Sequence, residues 1–141
     1  MANRRNGGRT LVNSLYIDSS SLIRIDIGEH DGARMERLVQ RYQADGAALV
    51  TSRLLHLECR RVAIRLNLEG HSNSAIERYA RMFQPLPLDE DVWRAAMNIR
   101  QHVKTLDAIH LATCALVPNA VLLSSDASMQ EVAPKLGIKL V

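Results

Sequence analysis

A chain of 141 residues, 47% hydrophobic and 23% charged, is long enough to bury one core and too apolar to stay disordered. With a single Phe and a single Trp, that core must be built from Leu, Ile, Val, Ala and Met, and no apolar run approaches the roughly 20 residues that span a bilayer. The formal charge of +3 comes from eighteen bases, mostly Arg, against fifteen acids; it leans weakly towards a polyanionic partner, because guanidinium groups fork onto phosphate.

The opening "MANRRNGGRT" carries charge without an apolar segment behind it, so residues 1–12 read as a flexible leader and not as a secretion signal. One domain then covers 13–141, with no repeat, linker or low-complexity tract. "LYID", ending at Asp18, is a short apolar run followed by "SSS", the pattern of a buried strand entering a turn. "HDGARMERLVQRYQADG" spaces Met35, Leu38, Val39 and Tyr42 as a helix, with Asp31 as its cap and Gly46 past its end. "AALVTS" is a second strand, after which Thr51 or Ser52 caps a helix running to about Leu68 and stopped by Gly70.

"SNSAIERYARMF" puts Ile76, Tyr79, Ala80 and Phe83 on one helical face, forming an α-hairpin with the helix before it. "PLPL" is a brief extended piece, since Pro85 and Pro87 disfavour helix. "DEDVWRAAMNIR" opens a helix with acids at its positive end. "KTLDAIHLATCALV" follows, apolar nearly all round, as a buried helix. "AVLLS" is a fourth strand, Ser128 and Glu131 have capping-box spacing for a helix ending at Gly137, and "IKLV" closes the chain as a strand. Short apolar strands alternating with helices imply a mainly parallel sheet covered on both faces. In such sheets, ligands gather beyond the carboxyl ends of the strands where the strand order reverses.

Acids fall where that rule looks for them. Asp18 ends the first strand and Asp126 follows the fourth; each on its own is ordinary turn or cap chemistry. Glu58 lies inside a helix between Leu54, Leu55 and Val62, where no cap is required, and Arg61 at i+3 is its plain salt-bridge partner. Asp107 suits the first turn of its helix, and His110 and Thr113 continue from it at i+3 and i+6 as a thin polar line, read as a solvent-facing edge with a structural His110. Four carboxylates in one place would repel: at ~4 Å and an effective dielectric near 20, a like-charged pair costs about 4 kcal/mol. Either some are protonated or a divalent cation joins them, and an all-oxygen site suits Mg²⁺ or Mn²⁺. Cys59 and Cys114 read as buried free thiols of a reducing, cytoplasmic setting. His110 and Cys114 share an i, i+4 spacing but fall short of the four ligands of a structural zinc. No phosphate-binding Gly-rich loop and no Ser-His-Asp order is visible.

"LYIDSSSL", "TSRLLHLECRR", "TLDAIHLATC" and "LLSSDASM", in this order and at these separations, resemble a PIN-domain ribonuclease of the VapC toxin type from about Leu15 to Val141. The resemblance implies a three-layer α/β/α sandwich around a mainly parallel sheet. It also implies an acidic site of Asp18, Glu58, Asp107 and Asp126 that holds Mg²⁺, with Mn²⁺ as a substitute, and hydrolyses RNA with a metal-activated water. Ser20 matches the small polar residue two positions after the first aspartate, and Ser124 stands where such proteins usually carry Thr. The implied partners are the RNA substrate, a cognate VapB-type antitoxin and a second copy of the chain in a homodimer. The alternative is a non-catalytic PIN-like RNA-binding or regulatory module. A metal-dependent phosphatase lacks its Asp-x-Asp motif, because Ser20 stands two residues after Asp18.

Overall fold

A computed structural model describes residues 14–27, 31–65 and 75–141. Its centre is a five-stranded sheet: β1 (Ser14–Ile17), β2 (Ala48–Ser52), β3 (Gln84–Leu86), β4 (Ala120–Leu123) and β5 (Lys139–Leu140), in the order β3-β2-β1-β4-β5. Every pairing is parallel, with Leu15 opposite Leu49 on one side and Val121 on the other. The proline-containing "PLPL" piece supplies edge strand β3, where a missing N–H on one side breaks no ladder.

Side-chain alternation sorts the strands between two cores. Leu15, Ile17, Leu49, Val121 and Leu123 face α1 (Ser19–Ile27), α2 (Gly32–Ala44), α3 (Leu54–Arg65) and α4 (Ala75–Met82). Tyr16, Val50 and Leu122 point the other way, onto α6 (Thr105–Ala115), α7 (Ala127–Val132) and the 3₁₀ turn Ala133–Leu136. α5 (Glu90–Met97) packs on α6 through Val92, Ile109 and Ala112. The result is the expected α/β/α sandwich with a parallel sheet. Its exposed faces carry the charge, and no helix among the described residues is long and apolar enough to cross a membrane.

Several local expectations change in detail. Asp31 precedes α2, but its side chain makes no capping bond; it faces Arg24 at 3.7 Å instead. Ser52, not Thr51, serves the start of α3, its hydroxyl accepting from Leu54 N at 3.1 Å, while Thr51 donates to the Ile17 carbonyl across the sheet at 2.8 Å. The expected end of that helix at Leu68 and Gly70 lies outside the described residues, as do the leader and Ile76's side chain. The cap of α7 is Asp126 and not Ser128, which sits inside the helix. Gly137 ends the following turn at φ +77°, as a left-handed helix stop requires. Gly32 has a different duty: a Cβ there would lie 2.4 Å from the Arg24 carbonyl oxygen, so its bareness lets α2 pass close to α1.

The strand order runs outward from β1 in both directions, through β2 to β3 on one side and β4 to β5 on the other. The switch point therefore lies between the carboxyl ends of β1 and β4. Asp18 follows the first of these strands and Ser124, Ser125 and Asp126 follow the second.

Candidate active site

Asp18 is the first residue beyond β1 and only 2% exposed. A carboxylate so deep needs donors, and it has three. Oδ1 accepts from the Ser21 main-chain N–H at 3.1 Å; Oδ2 accepts from the hydroxyls of Ser20 at 2.9 Å and Ser124 at 2.6 Å. The bond to Ser21 caps the opening turn of α1, so the capping reading is correct for Asp18 without exhausting its contacts. Ser20 bonds the carboxylate directly, and Ser124 reaches it from the neighbouring strand end.

Ser124 is itself braced. Its hydroxyl accepts from the Asp126 N–H at 3.1 Å, and its carbonyl accepts from Gln130 Nε2 at 2.8 Å. Ser125 Oγ adds a bond to Ser20 Oγ at 3.1 Å. Two strand ends are thus sewn together by short side chains. Asp126 spends Oδ1 on the Met129 N–H at 3.0 Å, capping α7.

Asp107 sits half-buried in the first turn of α6, and among the described residues no hydrogen bond or ion pair reaches its carboxylate. Burial raises its pKa above the ordinary carboxylate value; the negative charges of Asp126 and Asp18 raise it further, against the opposing influence of His110 and Lys104. Three aspartates from three separate elements therefore share one electrostatic neighbourhood. Lys104, exposed just before α6, is the cation whose charge reaches Asp107, while Arg53 is exposed just after the carboxyl end of β2. A cavity of about 360 Å³ adjoins the Ser124 end, with Arg34, Met35, Leu123, Ser125 and Gln130 also in its wall.

Glu58 is held differently from the expected ion pair with Arg61. Its Oε1 lies 2.5 Å from His110 Nε2, and Oε2 accepts from Ser19 Oγ at 2.9 Å. His110 in turn places Nδ1 2.6 Å from the Tyr16 hydroxyl. The polar line on α6 is consequently no solvent-facing edge: His110 is 1% and Thr113 2% exposed, with Thr113 donating to the Ile109 carbonyl. A period-based reading cannot tell a polar stripe facing water from one facing a buried partner 94 residues away. Burial also drives the Tyr16 phenol well above its ordinary pKa, with Cys114 and Asp18 adding to the rise and hydrogen bonding from the Ser52 main chain and Thr113 partly offsetting it.

Tyr16, Ser19, Ser125 and Gln130 were not singled out by the sequence. One signal existed for Tyr16: a phenol in the middle of a buried strand must find a partner for its hydroxyl. Both cysteines are buried, as expected, and burial pushes the Cys114 thiol up to about 12. With both ring nitrogens of His110 engaged elsewhere, a His110–Cys114 metal pair lacks its imidazole ligand.

The donor chemistry fits a hard divalent cation: carboxylate and hydroxyl oxygens, with one aspartate destabilised by the charges of two others. The spacing is loose. Among the described residues no three His, Cys, Asp or Glu side chains converge tightly enough to enclose an ion by themselves. Hydrated Mg²⁺, which keeps several of its waters, is the cation such an arrangement suits.

No curated protein and no solved structure matches the chain. The profile of one family does, the PIN domain, over residues 15–135, a span that includes every residue of the acidic site and both serine braces. With that span, the five-stranded parallel sheet and the aspartates at its switch point, the chain belongs to the PIN domain family, whose members are generally metal-dependent nucleases.

Proposed function

We propose that this protein is an endoribonuclease of the VapC toxin type, cutting RNA phosphodiester bonds with Mg²⁺, or Mn²⁺ in its place. The observation that carries the reading is the approach of Asp18, Asp107 and Asp126 to one strand switch point from separate elements, close enough that Asp126 and Asp18 add to the effect of burial in raising Asp107. Asp18, Asp107 and Asp126 would hold the cation, in part through water, with Glu58 beside them. When bound, the cation supplies Lewis-acid stabilisation of charge on the scissile phosphate and lowers the pKa of the attacking water.

The remaining roles belong to the chain. Asp18, fixed by three donors, gives a carboxylate whose direction is set before substrate arrives. One carboxylate of the cluster would also take up the proton of the attacking water. Lys104 beside Asp107, Arg53 after the carboxyl end of β2 and Arg34 in the cavity wall next to Ser124 would offer positive charge to the RNA backbone. An unpaired strand enters such a site more readily than a stiff duplex, which favours single-stranded or looped RNA. A VapB-type antitoxin blocking the site and a homodimeric toxin complete the proposal, resting on the resemblance alone.

One observation favours the non-catalytic RNA-binding module: Asp126 is committed to a helix cap and the acids do not close on an ion unaided. Incubating the purified protein with a mixed-sequence structured RNA in Mg²⁺, Mn²⁺ or EDTA, beside Asp18→Asn, separates the two. Metal-dependent cutting that the substitution abolishes is expected. RNA binding without cutting, by folded and antitoxin-free protein in either metal, selects the module.

A further inference from the structure

The site contains a buried chain of side-chain contacts that the proposed chemistry does not use. It runs from the Tyr16 hydroxyl to His110 Nδ1 at 2.6 Å, from His110 Nε2 to Glu58 Oε1 at 2.5 Å, and from Glu58 Oε2 to the Ser19 hydroxyl at 2.9 Å. Tyr16 and His110 are essentially inaccessible, whereas the Glu58 side chain retains 19% exposure. The chain therefore leads from the middle of the sheet outwards to a carboxylate at the rim, and it ends on the residue next to Asp18.

We propose that His110 is a positioning residue for Glu58, and that Tyr16 fixes the histidine tautomer that lets it serve. A phenol is an O–H donor at neutral pH, and this one, 2.6 Å from Nδ1, donates to it. A neutral imidazole that accepts at Nδ1 carries its hydrogen at Nε2, and that hydrogen points at Glu58. Glu58 then receives two donors from opposite sides, His110 at Oε1 and Ser19 at Oε2. A carboxylate has about four lone-pair sites, so both oxygens keep capacity for a further contact while losing freedom to turn. The same geometry sets Glu58 against α6 and not against Arg61 on its own helix. A buried neutral imidazole needs a donor for one nitrogen and an acceptor for the other, and Tyr16 and Glu58 supply them in the order that turns the N–H towards the carboxylate.

The inference rests on the nuclease reading for its catalytic consequence but not for the tautomer. Ring-nitrogen NMR shifts of His110, measured in the full chain without metal, are expected to show the Nε2–H form. In Tyr16→Phe a mixture of tautomers is expected. An Nδ1–H form in the unmodified protein overturns the proposal. Mn²⁺ affinity and RNA cleavage are then compared in His110→Leu and His110→Gln, the glutamine amide being able to replace Nε2–H. The leucine variant is expected to lose roughly 10–100-fold in kcat and in Mn²⁺ affinity, with KM for RNA unchanged, and the glutamine variant to recover most of both. A folded His110→Leu protein with undiminished Mn²⁺ affinity and kcat refutes the positioning role. If leucine prevents folding, Tyr16→Phe decides: undiminished Mn²⁺ affinity and kcat in a folded variant that shows the tautomer mixture refute it equally. Should the unmodified protein cut no RNA, the nuclease reading fails while the ring and Mn²⁺ measurements still judge this one.

Discussion

Asp18 and Asp107 are carboxylates at the openings of two helices on the same rim of the sheet, yet their surroundings are opposite. Asp18 is enclosed by three donors, two of them serine hydroxyls and one a main-chain N–H. Asp107 has no described donor and feels the charges of Asp18 and Asp126. One carboxylate is fixed by the fold; the other is stressed by it. The pairing illustrates a general division of labour in acidic sites, in which one anchor is rigid before anything binds and a second gains most when charge is neutralised nearby.

The comparison can be broken most decisively by removing each charge in turn. Asp18→Asn is expected to lower cleavage by roughly 10³-fold, the scale seen when a single preorganised electrostatic contact is deleted. It is also expected to destabilise the fold by about 1 kcal/mol, since charge-assisted bonds become neutral ones. Single-turnover cleavage and thermal melting report the two effects together.

Asp107→Asn should lower cleavage on a comparable scale but move stability the other way. The folded protein holds the Asp107 proton more tightly than the unfolded chain does, because its pKa is raised. Stability from this group is therefore lost as pH rises through the raised pKa and regained on acidification. At neutral pH with EDTA, Asp107→Asn is expected to melt above the unsubstituted protein, and the gap should close as pH falls below the ordinary carboxylate range. A lower Tm at neutral pH contradicts the assigned repulsion.

Ser124→Ala sharpens the anchor half of the comparison. It removes one of the Asp18 donors and the acceptor for the Asp126 N–H, and should cost about 1–3 kcal/mol of stability. Cleavage should fall about tenfold, the lower end for a residue that orients a ligand. Ser124→Thr keeps the hydroxyl and should retain activity. The smallest expected effect is outside the carboxylates. Arg34→Ala and Arg53→Ala should each raise KM for RNA a few-fold with kcat unchanged, and flatten the salt dependence of binding by about one phosphate contact.

The sandwich was legible because its signals are local: buried strands are short apolar runs, and Gly46 and Gly137 mark turns by their positive φ. The acids at strand ends were legible for the same reason, since the switch-point rule needs only element order. What the sequence hid were partnerships across the fold. Asp126 and Ser128 are equally good caps on paper, and only the position of the first helical turn chooses between them. Glu58 had a plausible partner one turn away in Arg61, whereas its actual partner lies on another helix. The His110 and Thr113 stripe had the right spacing and the wrong environment.

The bond from Ser124 to Asp18 spans 106 residues of chain, and the β1–β4 ladder beneath it spans about as many. Closing so large a loop is slow and precedes any reward from the contacts it makes. During synthesis the nascent chain therefore holds only part of the acidic site until β4 has been made. Asp18, Ser20 and Glu58 emerge early, but the serine brace and the partner aspartates arrive only with the last third of the sequence. On the proposed activity, a growing chain cannot cut the messenger from which it is being read until β4 and the residues after it have emerged.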